Sequence, residues 1–203
     1  MEVTFTKLTG RRYVMSVVRE RGPALAPRQA PGYDDYLPHE AVHLLVELEA
    51  GLAGGVFGRL AAGQSNIFWT VDPAAVARQR RRERKRRPTK QERAEMARSE
   101  LLASACAPLW ELRTDRRTEP PEWFSRLEPD IAASPLVERI IDRLDAFAAR
   151  WHELAPGDSI TVEWSSAAKS NRADASAHRR VRRHRVEEQR GAHARGRGAR
   201  ERA

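Results

Sequence analysis

The sequence predicts an α+β fold, a small and mainly antiparallel sheet packed by three main helices. Three observations predict it. Apolar residues alternate from Val3 to about Arg19 around a Thr9-Gly10 turn signal. A stripe of helical spacing runs from Val137 to Leu154. A β-prone segment, SITVEW at 159–164, closes the apolar part of the chain.

Taken in order, Val3, Phe5 and Leu8, then Tyr13, Met15 and Val17, give an N-terminal β-hairpin. Residues 22–33 are rich in proline and glycine and read as an extended loop. Pro38 suits the start of a helix, because its missing N–H costs nothing there. That helix runs to about Ala50, and Gly51 suits a left-handed stop. Val42, Leu44, Leu45, Val46 and Leu48 make it apolar around most of its circumference, so it should be largely buried. GLAGGVFG follows as short helix and loop, and IFWTV (67–71) reads as a third strand.

From about Lys90 the pattern is amphipathic again, with Ala94, Ala97, Leu101, Leu102, Ala105 and Leu109 at spacings of three and four. Pro108 should end or kink this helix. Residues 114–133 are a polar, Pro-rich connection with Trp123-Phe124 pinned inward. The third main helix has Ser134 as cap, Pro135 at its first position and Ala155-Pro156-Gly157 as its stop. The strand near 160–164 completes a single domain over residues 1–164. Beyond it the apolar content collapses, and residues 165–203 should be a disordered Arg/Ala/Gly-rich tail.

Charge is segregated. The net +9 comes from two basic segments, 78–98 and 165–203, each carrying a net +8. Residues 1–77 carry −1 and residues 99–164 carry −6. Cys106 is the only cysteine, which excludes an intrachain disulfide and fits a reducing cytoplasm. The N-terminus has no apolar signal core, and no apolar run approaches the ~18 residues of a membrane helix. The expectation is a cytoplasmic protein without membrane attachment.

The chemically suggestive stretch is HEAVH, residues 39–43. Residues i and i+4 share a helix face, so His39 and His43 could bind one metal ion, with zinc the natural cofactor. Glu40 could then act as catalytic base on a bound water. A zinc hydrolase needs a third protein ligand. Glu47 lies eight residues from His39, roughly 12 Å of helix rise, and is better placed as an outer partner, as are Asp34 and Asp35. The metzincin extension is excluded, because Val46 and Glu49 occupy its Gly and His positions. Asp72, His152 and Glu153 are the remote candidates. Against an enzyme, His39 sits in the first turn, where the helix dipole disfavours a cation, while Glu40 is suited to capping there. The competing reading makes the histidines partly buried polar residues bonded to the loop at 22–37.

Residues 33–63, YDDYLPHEAVHLLVELEAGLAGGVFGRLAAG, resemble a family of uncharacterised actinobacterial proteins. Its recurrent motif is Pro-His-Asp/Glu, then His, then Val-Glu, followed by a Gly-Phe-Gly-like segment. VTFTKLTGRRYVMSVVRERGPAL and SITVEW are similar to that family's ends. The resemblance covers roughly residues 1–164 and leaves out the tail. At the position of Glu40 the family commonly carries Asp, which caps a helix but serves poorly as a zincin base. The resemblance implies that His39, Glu40, His43 and Glu47 form one local cluster, with no assigned chemistry.

RQRRRERKRR (78–87), within a basic linker at about 74–89, could clamp phosphates through Arg80, Arg81, Arg82, Arg84, Lys85, Arg86 and Arg87. Arg179, Arg180, Arg182 and Arg183 of the tail could add a non-specific RGG-like mode. The partner would be nucleic acid, bound without base reading, since no zinc-finger spacing, helix-turn-helix or interleaved aromatic accompanies the charges. The bland alternative pairs the arginines of 78–87 with the acidic segment 99–164. GLAGGVFG matches neither GxGxxG nor the P-loop and points to tight helix packing. Cys106 reads as an inert core thiol. Trp110, Trp123, Trp151 and Trp164 read as core anchors.

Overall fold

The computed structural model describes residues 1–30, 36–64, 67–126 and 134–165, and its N-terminal alternation becomes a hairpin. Strand β1 (Glu2–Lys7) pairs antiparallel with β2 (Tyr13–Val18) in the register Phe5 to Met15. Val3, Phe5, Tyr13, Met15 and Val17 face inward, as period-2 alternation requires. Gly10 and Arg11 both take positive φ in the connecting turn, which is why a glycine stands there. β3 (Arg28–Ala30) pairs with β2, and β4 (Ser159–Glu163) pairs with β1. The sheet order is β3-β2-β1-β4, antiparallel throughout.

The fold is α+β, but the third strand is not the expected one. IFWTV contributes only an isolated bridge, Leu25 to Thr70, with Ala26 N–H donating to Trp69 O at 2.8 Å. The edge strand comes instead from the Pro-rich loop. Its two flanking prolines, Pro27 and Pro31, leave Arg28, Gln29 and Ala30 with free N–H groups to pair, so a three-residue edge strand fits between them.

Helix α1 (His39–Ala50) is buried continuously from Ala41 to Glu47. Pro38 is its N-cap, and Gly51 ends it at φ 64, ψ 36, the left-handed conformation expected of that glycine. Helix α2 (Val56–Ala61) follows at once. The basic linker, whose centre reads from sequence as either a solvated helix or a loop, is helix α3 (Pro73–Lys85), capped by Asp72, whose carboxylate accepts from Ala74 N–H at 2.9 Å. Helix α4 (Lys90–Arg113) starts with a capping box between Thr89 and Glu92.

Pro108 lies inside α4 and does not end it. The turn beyond the proline is held by burial of Trp110, whose indole N–H donates to Asp145 at 3.1 Å. Asp145 belongs to helix α5 (Pro135–Glu153), so tertiary packing outweighs the lost backbone bond. Trp123 is also a correction: it is 39% exposed, in a short 3-10 turn (Glu122–Arg126), and is no core anchor.

Helix α5 buries the stripe read from its sequence, Val137, Ile140, Ile141, Leu144, Phe147, Ala148 and Trp151. Phe147 meets Phe5 edge-on at 5.7 Å, and Trp151 meets Tyr13 edge-on at 6.3 Å, so the sheet and α5 share an aromatic layer. Lys7 Nζ donates to the carbonyls of Trp151 and Leu154 at 3.1 and 2.9 Å, closing the α5 C-terminus. Helix α1 packs against both α4 and α5. All these elements belong to one unit, Met1–Ser165. The expected tail lies outside the described residues, apart from Ser165.

In this packing the leucines of α1 should matter more for stability than its first histidine. Leu45 is buried and His39 is exposed. Leu45→Ala should therefore cost about 2–5 kcal/mol in urea denaturation, and His39→Gln much less.

Candidate functional site

Every α1 side chain singled out by sequence has an assigned neighbour, and the neighbours divide the motif. Glu40 turns toward the sheet, where its carboxylate lies 3.5 Å from Arg28 of β3. Burial pushes its carboxyl above the ordinary value, opposed by a backbone hydrogen bond. It does not line the cleft that His39 and His43 share. The geometry of a zincin base beside two ligands is therefore not assembled.

Glu47 is fully buried and committed to α2. Its Oε1 accepts from Val56 N–H at 2.8 Å, and its Oε2 accepts from Phe57 and Gly58 N–H at 2.8 and 3.3 Å. These donors are the unpaired amides of the α2 N-terminus, a natural anion site, here filled by the chain's own carboxylate. Ser99 of α4 adds a fourth donor, its hydroxyl reaching Glu47 Oε1 at 3.1 Å. Burial pushes the Glu47 carboxyl up, against the pull of the three amides and Ser99. Both oxygens accept hydrogen bonds, which is the arrangement of a carboxylate rather than an acid.

The glycines of LAGGVFG stand where the backbone packs closely, and Gly55 stands against this contact. A Cβ at Gly55 would overlap the Glu47 carboxyl, and one at Gly58 would sit 2.5 Å from the carbonyl oxygens of Leu52 and Ala53. Tight packing is thus the reason for the Gly-rich segment.

His43 is buried, and its Nδ1 lies 3.3 Å from Ser99 Oγ. The Ser99 proton is spent on Glu47, so Ser99 can only accept from the ring. His43 must then carry its proton on Nδ1, leaving the lone pair of Nε2 outward. Nε2 lies 3.8 Å from Glu100 Oε2. Burial first, and the nearness of His39 second, hold the His43 pKa below the ordinary value, with Glu100 opposing. His39 is exposed and meets His43 edge to face, ring centres 4.7 Å apart.

The two histidines open into a cleft of about 800 Å³ between α1, α4 and the segment after α4, with Tyr36, Glu100, Glu111, Arg116 and Arg117 among its lining residues. Arg116 is stacked on Trp110 and Tyr36, 4.8 and 5.4 Å from their ring centres, and Arg117 pairs with Glu111 at 2.6 Å. Sequence reasoning missed Ser99 and Glu100. Both lie on α4, more than fifty residues from the motif, and no local pattern marks them.

Two of the three remote ligand candidates are elsewhere engaged. Asp72 caps α3, and the ring Nε2 of His152 lies 2.8 Å from the Tyr36 carbonyl. Asp34 and Asp35 lie outside the described residues, and so do Arg179, Arg180, Arg182 and Arg183. Of the loop at 22–37 expected to hold the histidines, residues 31–35 lie outside the described residues; the described partner of the His43 ring is Ser99. Among the described residues, no group of three or more His, Cys, Asp or Glu side chains is gathered to hold a metal ion. Cys106 is buried, and burial pushes its thiol up to about 12, so it is inert near neutral pH.

No family model, curated protein or solved structure matches the chain. The resemblance to the actinobacterial proteins rests on the quoted residues alone.

The second candidate region is α3. It buries none of its residues, and Arg80, Arg81, Arg82, Arg84 and Lys85, with Arg87 just beyond, are exposed. Its anchor is one glutamine: Gln79 accepts from Thr70 N–H at 3.0 Å and donates to Phe68 O at 2.7 Å. The sequence expectation paired the arginines of 78–87 with the acidic segment 99–164, part of which, residues 127–133, lies outside the described residues. Their described ion pairs go to Asp72, from Arg78 at 3.7 Å, and to Glu92, from Arg86. Trp69, at 41% exposed, lies beside the helix with the Arg80 guanidinium 4.8 Å from its ring centre. The structure therefore supplies an aromatic neighbour that the linear run lacks.

The Glu47 contact yields a coupled stability effect. Gly55→Ala should cost about 1–3 kcal/mol by overpacking, and Glu47→Gln about 1.5–3 kcal/mol through lost charge-assisted hydrogen bonds. The double variant should cost less than the sum in urea denaturation, because both changes break one contact.

Proposed function

We propose that the protein is a nucleic-acid-binding module that grips the phosphate backbone of single strands through α3, without reading bases. One observation carries this reading: exposed arginines with no described carboxylate partner stand on a helix beside an exposed tryptophan. Lys and Arg side chains that neutralise phosphates release counterions, and an exposed aromatic ring offers a stacking surface to any base. A helix with no buried face contributes little to the core, so its charge density is better explained by a polyanionic partner than by folding. Arg86 and Arg59 support the same reading, since both line a groove of about 730 Å³ along α3 together with Arg78 and Arg82. Burial first, and Arg86 second, hold the Arg59 guanidinium below its ordinary value, with Glu92 and Glu47 opposing. No base-reading element accompanies these groups, so discrimination between sequences should be weak. Among the described residues no helix is long and apolar enough to cross a membrane.

The test is fluorescence anisotropy of the full chain with a labelled oligothymidine across a salt series. Affinity should fall steeply with salt, with a logarithmic slope of about −0.7 per phosphate neutralised. Changing Arg80, Arg81 and Arg84 together to Glu should weaken binding and flatten the slope by about 2 or more. Trp69→Ala should weaken binding with little change of slope. Salt-independent binding, or a triple variant that binds like wild type, would overturn the reading.

A further inference from the structure

We infer that His39 and His43 form a two-imidazole site for a divalent d-block cation such as Zn²⁺, with Glu100 as the adjacent carboxylate and solvent completing the shell. The site is distinct from α3 and owes nothing to the nucleic-acid reading. It also differs from the hydrolase pattern suggested by HEAVH, because Glu40 is paired with Arg28 and Glu47 is enclosed by α2.

Three geometric facts carry it. The first is the spacing of the rings. Two imidazoles on one ion, bonded at about 2.1 Å, have ring centres roughly 4.6–5.3 Å apart. His39 and His43 stand at 4.7 Å. The second is the orientation of His43. A metal-binding histidine characteristically donates its other ring N–H to a fixed acceptor, which sets the tautomer and raises ligand basicity. Here Nδ1 faces Ser99, and Ser99 in turn donates to the buried Glu47 carboxylate. Nε2 is left with its lone pair toward the cleft. The third is the nearby carboxylate. Two donors to one ion lie roughly 3–3.4 Å apart, and Nε2 to Glu100 Oε2 is 3.8 Å, a gap that an exposed glutamate closes by rotating its side chain. Imidazole and carboxylate donors in an open cleft select zinc, nickel and copper over magnesium or calcium. With only two imidazoles and one mobile carboxylate, the ion is exchangeable rather than part of the fold.

The experiment is calorimetric titration of the full chain with Zn²⁺ alone in a non-coordinating buffer, for wild type, His39→Ala, His43→Ala and Glu100→Gln. The histidines outside this site, His152 and those at 178, 184 and 193, are common to all four proteins and give the same background. Wild type should bind one ion more than either histidine variant, and Glu100→Gln should bind that ion several-fold more weakly. His39 is exposed, so its variant keeps the fold and decides the matter even if His43→Ala does not fold. Superimposable isotherms for wild type and His39→Ala would overturn the inference.

Discussion

The structure turns on one buried anion. The Glu47 carboxylate sits at the meeting point of α1, α2 and α4 and accepts from three backbone amides and one hydroxyl. A carboxylate without water is costly, and an incompletely paired one more so. Here the donors are pre-oriented, because the amides of a helix N-terminus have no other partners. The same contact requires the backbone to approach closely at Gly55. It fixes Ser99 as a donor, and through Ser99 it fixes the His43 ring. Helix docking and the chemistry of the cleft thus share one origin.

The two candidate regions use charge in opposite ways. Around His43 the arginines of the cleft are compensated: Arg117 pairs with Glu111, and Arg116 is spread over two aromatic rings. On α3 Arg78 pairs with Asp72 and Arg80 stacks on Trp69. Arg81, Arg82, Arg84 and Lys85 are exposed with no described carboxylate partner, and Gln79 ties the helix to the 68–70 segment. Compensation suits a small ligand seated by geometry. Uncompensated surface charge suits a long polyanion met by electrostatics.

What the sequence made legible was whatever is local. The α5 stripe, its Ser134 cap, the hairpin alternation and the Gly51 stop all depend on neighbours a few residues away. The third strand was not legible, because Arg28–Ala30 is short, proline-flanked and stabilised only by β2. Helix α4 runs through Pro108 because Trp110 is fastened to α5, a contact thirty-five residues distant. At the site, the spacing of His39 and His43 placed both rings on one face of α1, where they meet at 4.7 Å. It did not announce the division of labour, since Ser99, Glu100 and Arg28 arrive from α4 and β3. The exposed Trp69 beside Arg80 was hidden for the same reason.

The central claim is that Glu47, through Ser99, dictates the protonation of His43. The most direct test is the imidazole tautomer of His43 in metal-free protein near neutral pH, read from long-range ¹H–¹⁵N correlations. The account predicts a neutral ring protonated at Nδ1 with Nε2 bare. A ring protonated at Nε2, or a doubly protonated imidazolium at that pH, would contradict it.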